Sequence, residues 1–95
     1  MAAYVIGDIE ITDPAGFQEY QRLVPPLIAK YGGKYLVRGG EMQQIEGEWD
    51  LKRMVVLEFG SVEQAKEFYD SEDYAPVKQI RLRSSNSNLV IVEGV

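Results

Sequence analysis

Arginine residues in this chain stand where they could bind a small organic acid. Arg38 directly precedes Gly39 and Gly40, and a backbone without side chains can approach a ligand closely. A guanidinium at this position could hold a carboxylate through two parallel hydrogen bonds. The alternative is a structural ion pair beside a hairpin turn, with both glycines serving the turn. Arg53 and Arg81 are further candidates, either for ligand binding or for pairing with a buried acid.

Glu58 is the candidate for proton transfer. It lies in a strongly apolar segment and shares one face of the predicted strand with Met54 and Val56. Burying a carboxylate is costly unless it is paired with a cation or keeps its proton. A sheltered Glu58 could therefore act as a general base, or it could simply pair with one of the arginines. Asp8 and Glu10 are expected on the same face of the sheet, so the sequence predicts that at least one of these three acids pairs with an arginine.

Three aromatic residues, Trp49, Tyr69 and Tyr74, could line a ligand pocket. Tyrosine and tryptophan are equally suited to a half-buried position at a subunit interface, because each combines an apolar ring with a polar atom. Other residues at helical spacing are expected to form the hydrophobic core: Phe17, Tyr20, Phe68, Val77 and Ile80.

Composition excludes several kinds of chemistry. The chain has no cysteine and no histidine, which removes thiol nucleophiles, zinc hydrolases and histidine-ligated haem. We expect no cofactor and no metal, because a carboxylate-only magnesium or calcium site lacks the loop spacing that it needs. The net charge of −5, with no basic stripe, makes nucleic acid an unfavourable partner. No signal peptide or membrane span is predicted, so the expected location is cytoplasmic.

Four strands are predicted to carry these residues. The corresponding segments are rich in apolar, β-branched and aromatic residues, and turn residues flank them. They are residues 4–11, 34–38, 53–59 and 88–93, with residues 42–46 as a further short piece.

Helix signals separate the strands. Asp13-Pro14 is typical of a helix start, with Asp13 as the cap and proline at the first position. Pro25-Pro26 is expected to kink or divide that helix, because proline lacks the backbone donor. Ser61 and Gln64 form a capping-box pattern at the start of a second main helix. Residues 71–73 could cap one more short helix.

The resulting order, β-α-β-β-α-β, predicts an α+β domain of the ferredoxin-like type over residues 1–95. Its four-stranded antiparallel sheet would carry both main helices on one face. The third and fourth strands, however, are apolar on both faces, as in Met54-Val55-Val56-Leu57 and Leu89-Val90-Ile91-Val92. Two helices cover only one face, so the pattern predicts that a second subunit covers the other in a homodimer.

An ordered set of short motifs runs along nearly the whole chain: Arg38-Gly39-Gly40, Glu46-Gly47-x-Trp49, Arg53 before Val55-Val56-Leu57-Glu58-Phe59, Tyr69-x-Ser71-x-x-Tyr74, Arg81 and Val92-Glu93-Gly94. This set resembles domain-of-unknown-function family 1330, within the dimeric α+β-barrel superfamily. The resemblance implies a ferredoxin-like subunit whose sheet packs on the sheet of its partner to close a barrel. It implies no activity, and the wider superfamily includes cofactor-free monooxygenases, isomerases, haem enzymes and ligand-sensing domains.

Three functions are compatible with these residues. The first is small-molecule binding without turnover, of an acidic or aromatic compound in a pocket near the sheet. The second is a cofactor-independent enzyme, of monooxygenase or isomerase type, in which Arg38 anchors an organic acid and Glu58 or a tyrosine moves a proton. The third is a structural dimer with no ligand, which predicts no cavity. The absence of histidine favours the first and third over catalysis.

Overall fold

The computed structural model describes residues 1–95 and contains four strands and three helices. The strands are β1 (Ala3–Ile11), β2 (Lys34–Arg38), β3 (Met54–Phe59) and β4 (Ser85–Glu93). The helices are α1 (Pro14–Lys30), α2 (Val62–Tyr69) and α3 (Tyr74–Ser84). The predicted ferredoxin-like fold is confirmed, with one refinement. The second connection holds two helices, and the supposedly minor one, α3, is the longer.

The sheet has the order β2-β3-β1-β4, and all neighbouring strands are antiparallel. The central strand β1 pairs with β3 and β4, so each β1 residue defines a row across the sheet. Gly7 lies between Val55 and Leu89, and Ile9 lies opposite Ser87. The amide of Ile9 donates to the carbonyl of Arg53 at 2.9 Å, which extends the β1–β3 ladder by one row.

Helix α1 is continuous through Pro25-Pro26, so of the two expected effects of the prolines, a kink or a division, the division does not occur. Each proline lacks an amide hydrogen, so it cannot donate the helical hydrogen bond to the carbonyl four residues earlier. Val24 and Ile28, on either side of the pair, are both buried in the hydrophobic core. Their packing compensates for the two lost bonds, because most helical stability in proteins comes from tertiary packing.

The predicted caps are confirmed. The Asp13 side chain accepts from the amide of Gly16 at 3.3 Å, and Pro14 opens α1. Ser61 Oγ accepts from the amide of Gln64 at 3.1 Å at the start of α2. Ser71 Oγ accepts from the amide of Tyr74 at 3.1 Å, which caps α3 as expected.

The predicted strand piece at residues 42–46 is wrong. Residues 39–53 contain no helix or strand, and every residue from 41 to 50 is exposed. Three large apolar residues of this segment, Met42, Ile45 and Trp49, have their side chains in solvent. An apolar alternation stabilises a strand only when one face is covered, and nothing within the chain covers this one.

The two faces of the sheet differ in what covers them. The helices pack on the face that carries Val5, Leu57 and Phe59, and a nine-residue core forms there: Val5, Val24, Ile28, Leu57, Phe59, Ala65, Phe68, Tyr74 and Val77. Of the other expected core residues, Phe17 is buried, while Tyr20 and Ile80 are half-buried. No helix lies on the opposite face, which we call the open face, and there Val90 and Val92 are 55% and 44% exposed.

Candidate ligand-binding cavity

A cavity of about 460 Å³ lies between the helices and the covered face of the sheet. This volume is within the usual range for small-molecule sites, about 300–1,000 Å³. Most of its lining is apolar and comes from the sheet and from helices α1 and α2, including Val5, Val24, Ile28, Leu57, Phe68 and Ile91. Gly7, in the middle of β1, also lines the cavity, and its missing side chain makes room for Leu89, because a Cβ there would lie 2.5 Å from Leu89 Cδ2.

The charged side chains that line the cavity are all arginines: Arg38, Arg53 and Arg81. Two of them are positioned by one row of the sheet. Arg53, which immediately precedes β3, lies on one side of Ile9, and Ser87, which binds Arg81, lies on the other side. Adjacent strands are about 4.8 Å apart, so the two backbones that position these groups are about 10 Å apart. Arg38 lies one inward-facing row further along, opposite Val55. The cavity therefore has one cationic end and an apolar body.

Arg53 reaches the cavity because Gly39 has no side chain. A Cβ on Gly39 would lie 1.8 Å from Arg53 Nη1. Gly39 also has a positive φ of 69°, a region that L-residues rarely adopt. Its amide donates to the carbonyl of Met54 at 2.8 Å, which fixes the loop at the end of the sheet. The close approach expected at the glycines is therefore made by Arg53. The Nε of Arg53 is buried and has no hydrogen-bond partner in the chain.

Replacing Gly39 with alanine should displace the Arg53 guanidinium and destabilise the fold. The left-handed backbone alone costs about 1 kcal/mol for a non-glycine residue, and the clash with Arg53 adds to this cost. Two other glycines separate the effects. Gly47→Ala has the same backbone strain, with a φ of 79°, but meets nothing within 4 Å, and Gly40→Ala has neither problem. Urea unfolding should rank the free energies of unfolding as Gly40→Ala above Gly47→Ala above Gly39→Ala. Equal values for Gly39→Ala and Gly47→Ala would show that Arg53 is not held by this contact.

Arg38 is exposed at the edge of the cavity and stacks on Tyr35, with its Cζ 4.7 Å from the ring centroid. No carboxylate lies within ion-pair distance, so the structural ion pair considered for Arg38 is not present in the chain. Burial raises the pKa of Tyr35, while the positive charge of Arg38 acts in the opposite direction. Arg38 therefore brings a free positive charge to the cavity.

Arg81 is the most deeply buried charge of the molecule, with 3% of its surface exposed. Its partners are two hydroxyl groups: Nε donates to Tyr74 Oη at 3.3 Å, and Nη1 donates to Ser87 Oγ at 2.5 Å. Burial acts to lower the pKa of Arg81, but the proximity and hydrogen bond of Tyr74, together with the nearby Tyr20 and Tyr69, raise it. The guanidinium is therefore a buried cation without a counter-ion.

The hydroxyl of Tyr74 also forms a hydrogen bond with the hydroxyl of Tyr20, with the two oxygens 2.8 Å apart. Burial, followed by the proximity of Tyr74, raises the pKa of Tyr20 far above its usual value. Tyr20 thus keeps its proton at any physiological pH. Arg81, Tyr74 and Tyr20 form a continuous hydrogen-bonded chain, which we call the Arg–Tyr–Tyr chain, and all three residues line the cavity.

A sequence model of a protein family described as a domain of unknown function, DUF1330, matches residues 2–95. This chain belongs to the DUF1330 family. The family that the motifs resemble is thereby confirmed. No curated protein matches the chain in sequence.

Solved structures share the fold of this DUF1330 protein at low sequence identity. A protein of unknown function from Rhodopseudomonas palustris has a TM-score of 0.78 at 16% identity, over 99% of this chain and 82% of its own. A dimeric ferredoxin-like protein of unknown function from Jannaschia sp. CCS1 has a TM-score of 0.73 at 10% identity, and the match covers 99% of this chain and 100% of that protein's chain. SnoaB, a cofactor-independent oxygenase from Streptomyces nogalater, has a TM-score of 0.67 at 11% identity, over 99% and 93%.

The structure brings together most of the residues singled out as ligand-binding candidates. Arg38, Arg53, Tyr69, Tyr74 and Arg81 all line the one cavity. Trp49 does not, because it lies in the irregular segment and is 66% exposed.

The carboxylates lie elsewhere, which corrects the expected pairing of acids with arginines. Glu58 is on the open face, where it pairs with Lys34 at 3.2 Å. Asp8 Oδ1 accepts from the amides of Lys52 and Arg53 at 2.8 and 3.2 Å, and Glu10 is exposed and accepts from Asn86. The reason is the strand alternation, since residues 8, 10 and 58 point away from the helices while the arginines point towards them. The chain has no group of three or more His, Cys, Asp or Glu residues that could hold a metal ion.

Tyr20, Tyr35 and Gly7 are site residues that the sequence did not indicate. Tyr20 matched the helical core pattern, and only its hydroxyl partner shows that it does more than fill space. Gly7 did carry a usable signal, because glycine inside a strand pattern often marks a close approach or a ligand. No helix of the structure is long and apolar enough to cross a membrane.

Proposed function

We propose that this protein binds a small organic acid with an apolar or aromatic body in the cavity beneath its helices. The observation that carries the proposal is the pair of guanidinium groups of Arg53 and Arg81, which enter an apolar cavity without any carboxylate partner. Buried charges are normally paired, because desolvation costs several kcal/mol. A ligand carboxylate would supply the missing counter-charge, and its hydrocarbon part would fill the apolar body.

Titration calorimetry with 3-phenylpropionate and its neutral analogue 3-phenylpropan-1-ol tests this function. Hydrogen bonds to charged groups contribute about 1.5–3 kcal/mol, so the acid should bind about tenfold to a hundredfold more tightly than the alcohol. Amide chemical shifts should change on β1, β3 and α1 around the cavity. Equal affinities, or no binding of a panel of aromatic and aliphatic acids at millimolar concentration, would refute the proposal.

A second candidate is a cofactor-independent enzyme acting on such an acid. The observation that favours it is the Arg–Tyr–Tyr chain, because a buried cation and a neutral hydroxyl can stabilise negative charge that develops on a substrate oxygen. SnoaB, a cofactor-independent oxygenase, shares the fold, which is analogy at the level of the fold. Glu58 is outside the cavity and is not part of this proposal. A bound acid that is recovered unchanged after prolonged incubation in air would favour binding without turnover. The cavity supports ligand binding over a ligand-free structural dimer, which predicted no cavity.

We also propose that a second copy of the chain covers the open face. Val90 and Val92 are 55% and 44% exposed there, and Ile6 and Val56 lie in the same row of the sheet as Val90. Val37 on β2, opposite Val56, extends the apolar surface to the far strand. A contiguous apolar surface of this kind marks an interaction site. The similar fold of a dimeric ferredoxin-like protein supports the same arrangement.

A further inference from the structure

The Arg–Tyr–Tyr chain leaves one donor hydrogen unused. Tyr20 and Tyr74 have one hydroxyl hydrogen each, and only one of these can lie in the bond between their oxygens. The Nε–H of Arg81 already occupies one acceptor position on Tyr74 Oη. Neither hydroxyl has another acceptor in the chain. The remaining hydrogen therefore has no protein partner, although Tyr74 is 2% exposed and Tyr20 is half-buried.

The direction of the chain determines which tyrosine holds the free hydrogen. Arg81 can only donate, so it polarises the Tyr74 hydroxyl towards donating in turn to Tyr20. Successive hydrogen bonds that point the same way strengthen one another. This orientation leaves the hydrogen of Tyr20 free, and Tyr20 faces the cavity from α1.

We infer that the ligand is an acid with a second acceptor oxygen, such as a ketone, and that the Tyr20 hydroxyl donates a hydrogen bond to that oxygen. This inference rests on the proposed function and names the class of acid. The carboxylate would occupy the end of the cavity that Arg53 and Arg81 line. Tyr20 would then discriminate between an oxo acid and the same acid without the oxygen, because a buried donor left unpaired is penalised.

Two matched pairs of probes test the inference: phenylpyruvate against 3-phenylpropionate, and 4-oxo-4-phenylbutanoate against 4-phenylbutanoate. The pairs place the ketone next to the carboxylate or remote from it. In the wild type, at least one oxo acid should bind about five- to tenfold more tightly than its partner, the size expected for one buried hydrogen bond. Tyr20→Phe should abolish that preference while it leaves the affinity for the acid without the ketone unchanged. The Tyr74 hydroxyl lies one hydrogen bond further from the ketone, so it should not replace the Tyr20 hydroxyl as the donor in this variant.

Tyr31→Phe is the matched control, since Tyr31 directly follows α1 but does not line the cavity, and its hydroxyl donates to Asp73 instead. It should keep the preference for the oxo acid. If the simple acids bind and neither oxo acid is preferred, the inference fails while the proposed function stands. If Tyr20→Phe keeps the preference, or Tyr31→Phe removes it, the inference also fails. If no acid binds at all, the proposed function itself has failed.

Discussion

Replacing Arg81 with methionine should leave the domain folded and at least as stable as the wild type, while the affinity for small acids falls about tenfold to a hundredfold. The loss of affinity corresponds to one charge-assisted interaction of about 1.5–3 kcal/mol. Stability should not fall, because the guanidinium is 3% exposed and only two hydroxyls compensate for its desolvation. Methionine has an unbranched, flexible side chain that can fill the same space. Replacing buried charges with well-packed apolar residues is often neutral or stabilising, by about 1–4 kcal/mol.

Thermal melting with and without ligand separates the two effects. Each 1 kcal/mol changes the Tm of a domain of this size by about 4–8 °C, so Arg81→Met without ligand should melt at or above the wild-type temperature. The increase in Tm caused by 3-phenylpropionate should be lost. Arg83→Met is the control, since Arg83 is exposed near the end of the same helix. If Arg81→Met lowers the free energy of unfolding by more than about 3 kcal/mol, Arg81 has a structural role and is not part of the proposed site.

Replacing Val90 with aspartate should convert the proposed dimer into a folded monomer. Val90 lies opposite Ile6 on the open face and is 55% exposed in the single chain. A second subunit would bury the new carboxylate without a partner, at a cost of about 3–5 kcal/mol. The dimer dissociation constant should therefore rise by at least about a hundredfold. The core lies on the other face of the sheet, so the monomer should still fold.

Light scattering at micromolar concentration measures this directly. The wild type should have twice the mass of the 10.7 kDa chain, and Val90→Asp should have the single mass with an unchanged far-UV circular dichroism spectrum. Leu82→Asp is the matched control, because Leu82 is 50% exposed on α3, away from the open face. It should stay dimeric. A monomeric wild type would contradict the proposal that a second copy covers the open face.

Local patterns were sufficient to predict the elements and their order. Asp13-Pro14, Ser61 with Gln64, and Ser71 each began a helix where expected, because capping depends on residues only three positions apart. Local patterns failed at Pro25-Pro26, where the helix is not divided, and at residues 42–46, which do not form a strand. Whether a local preference prevails there depends on what packs against the segment. Val24 and Ile28 anchor the helix around the prolines, whereas no element covers residues 42–46.

The sequence by itself determined the fold class, the family and the kinds of residue available for binding. Of its ligand-binding candidates, Arg38, Arg53, Arg81, Tyr69 and Tyr74 line the cavity, and Trp49 does not. Only the tertiary structure decided how acids and arginines are divided. Strand alternation puts Glu58 and Asp8 on one face of the sheet and Arg53 on the other. Arg81 extends from α3 and donates a hydrogen bond to Ser87 on β4. The arginines are left without counter-ions because the helices cover the face of the sheet that carries them, and this packing is not encoded in the spacing along any one strand.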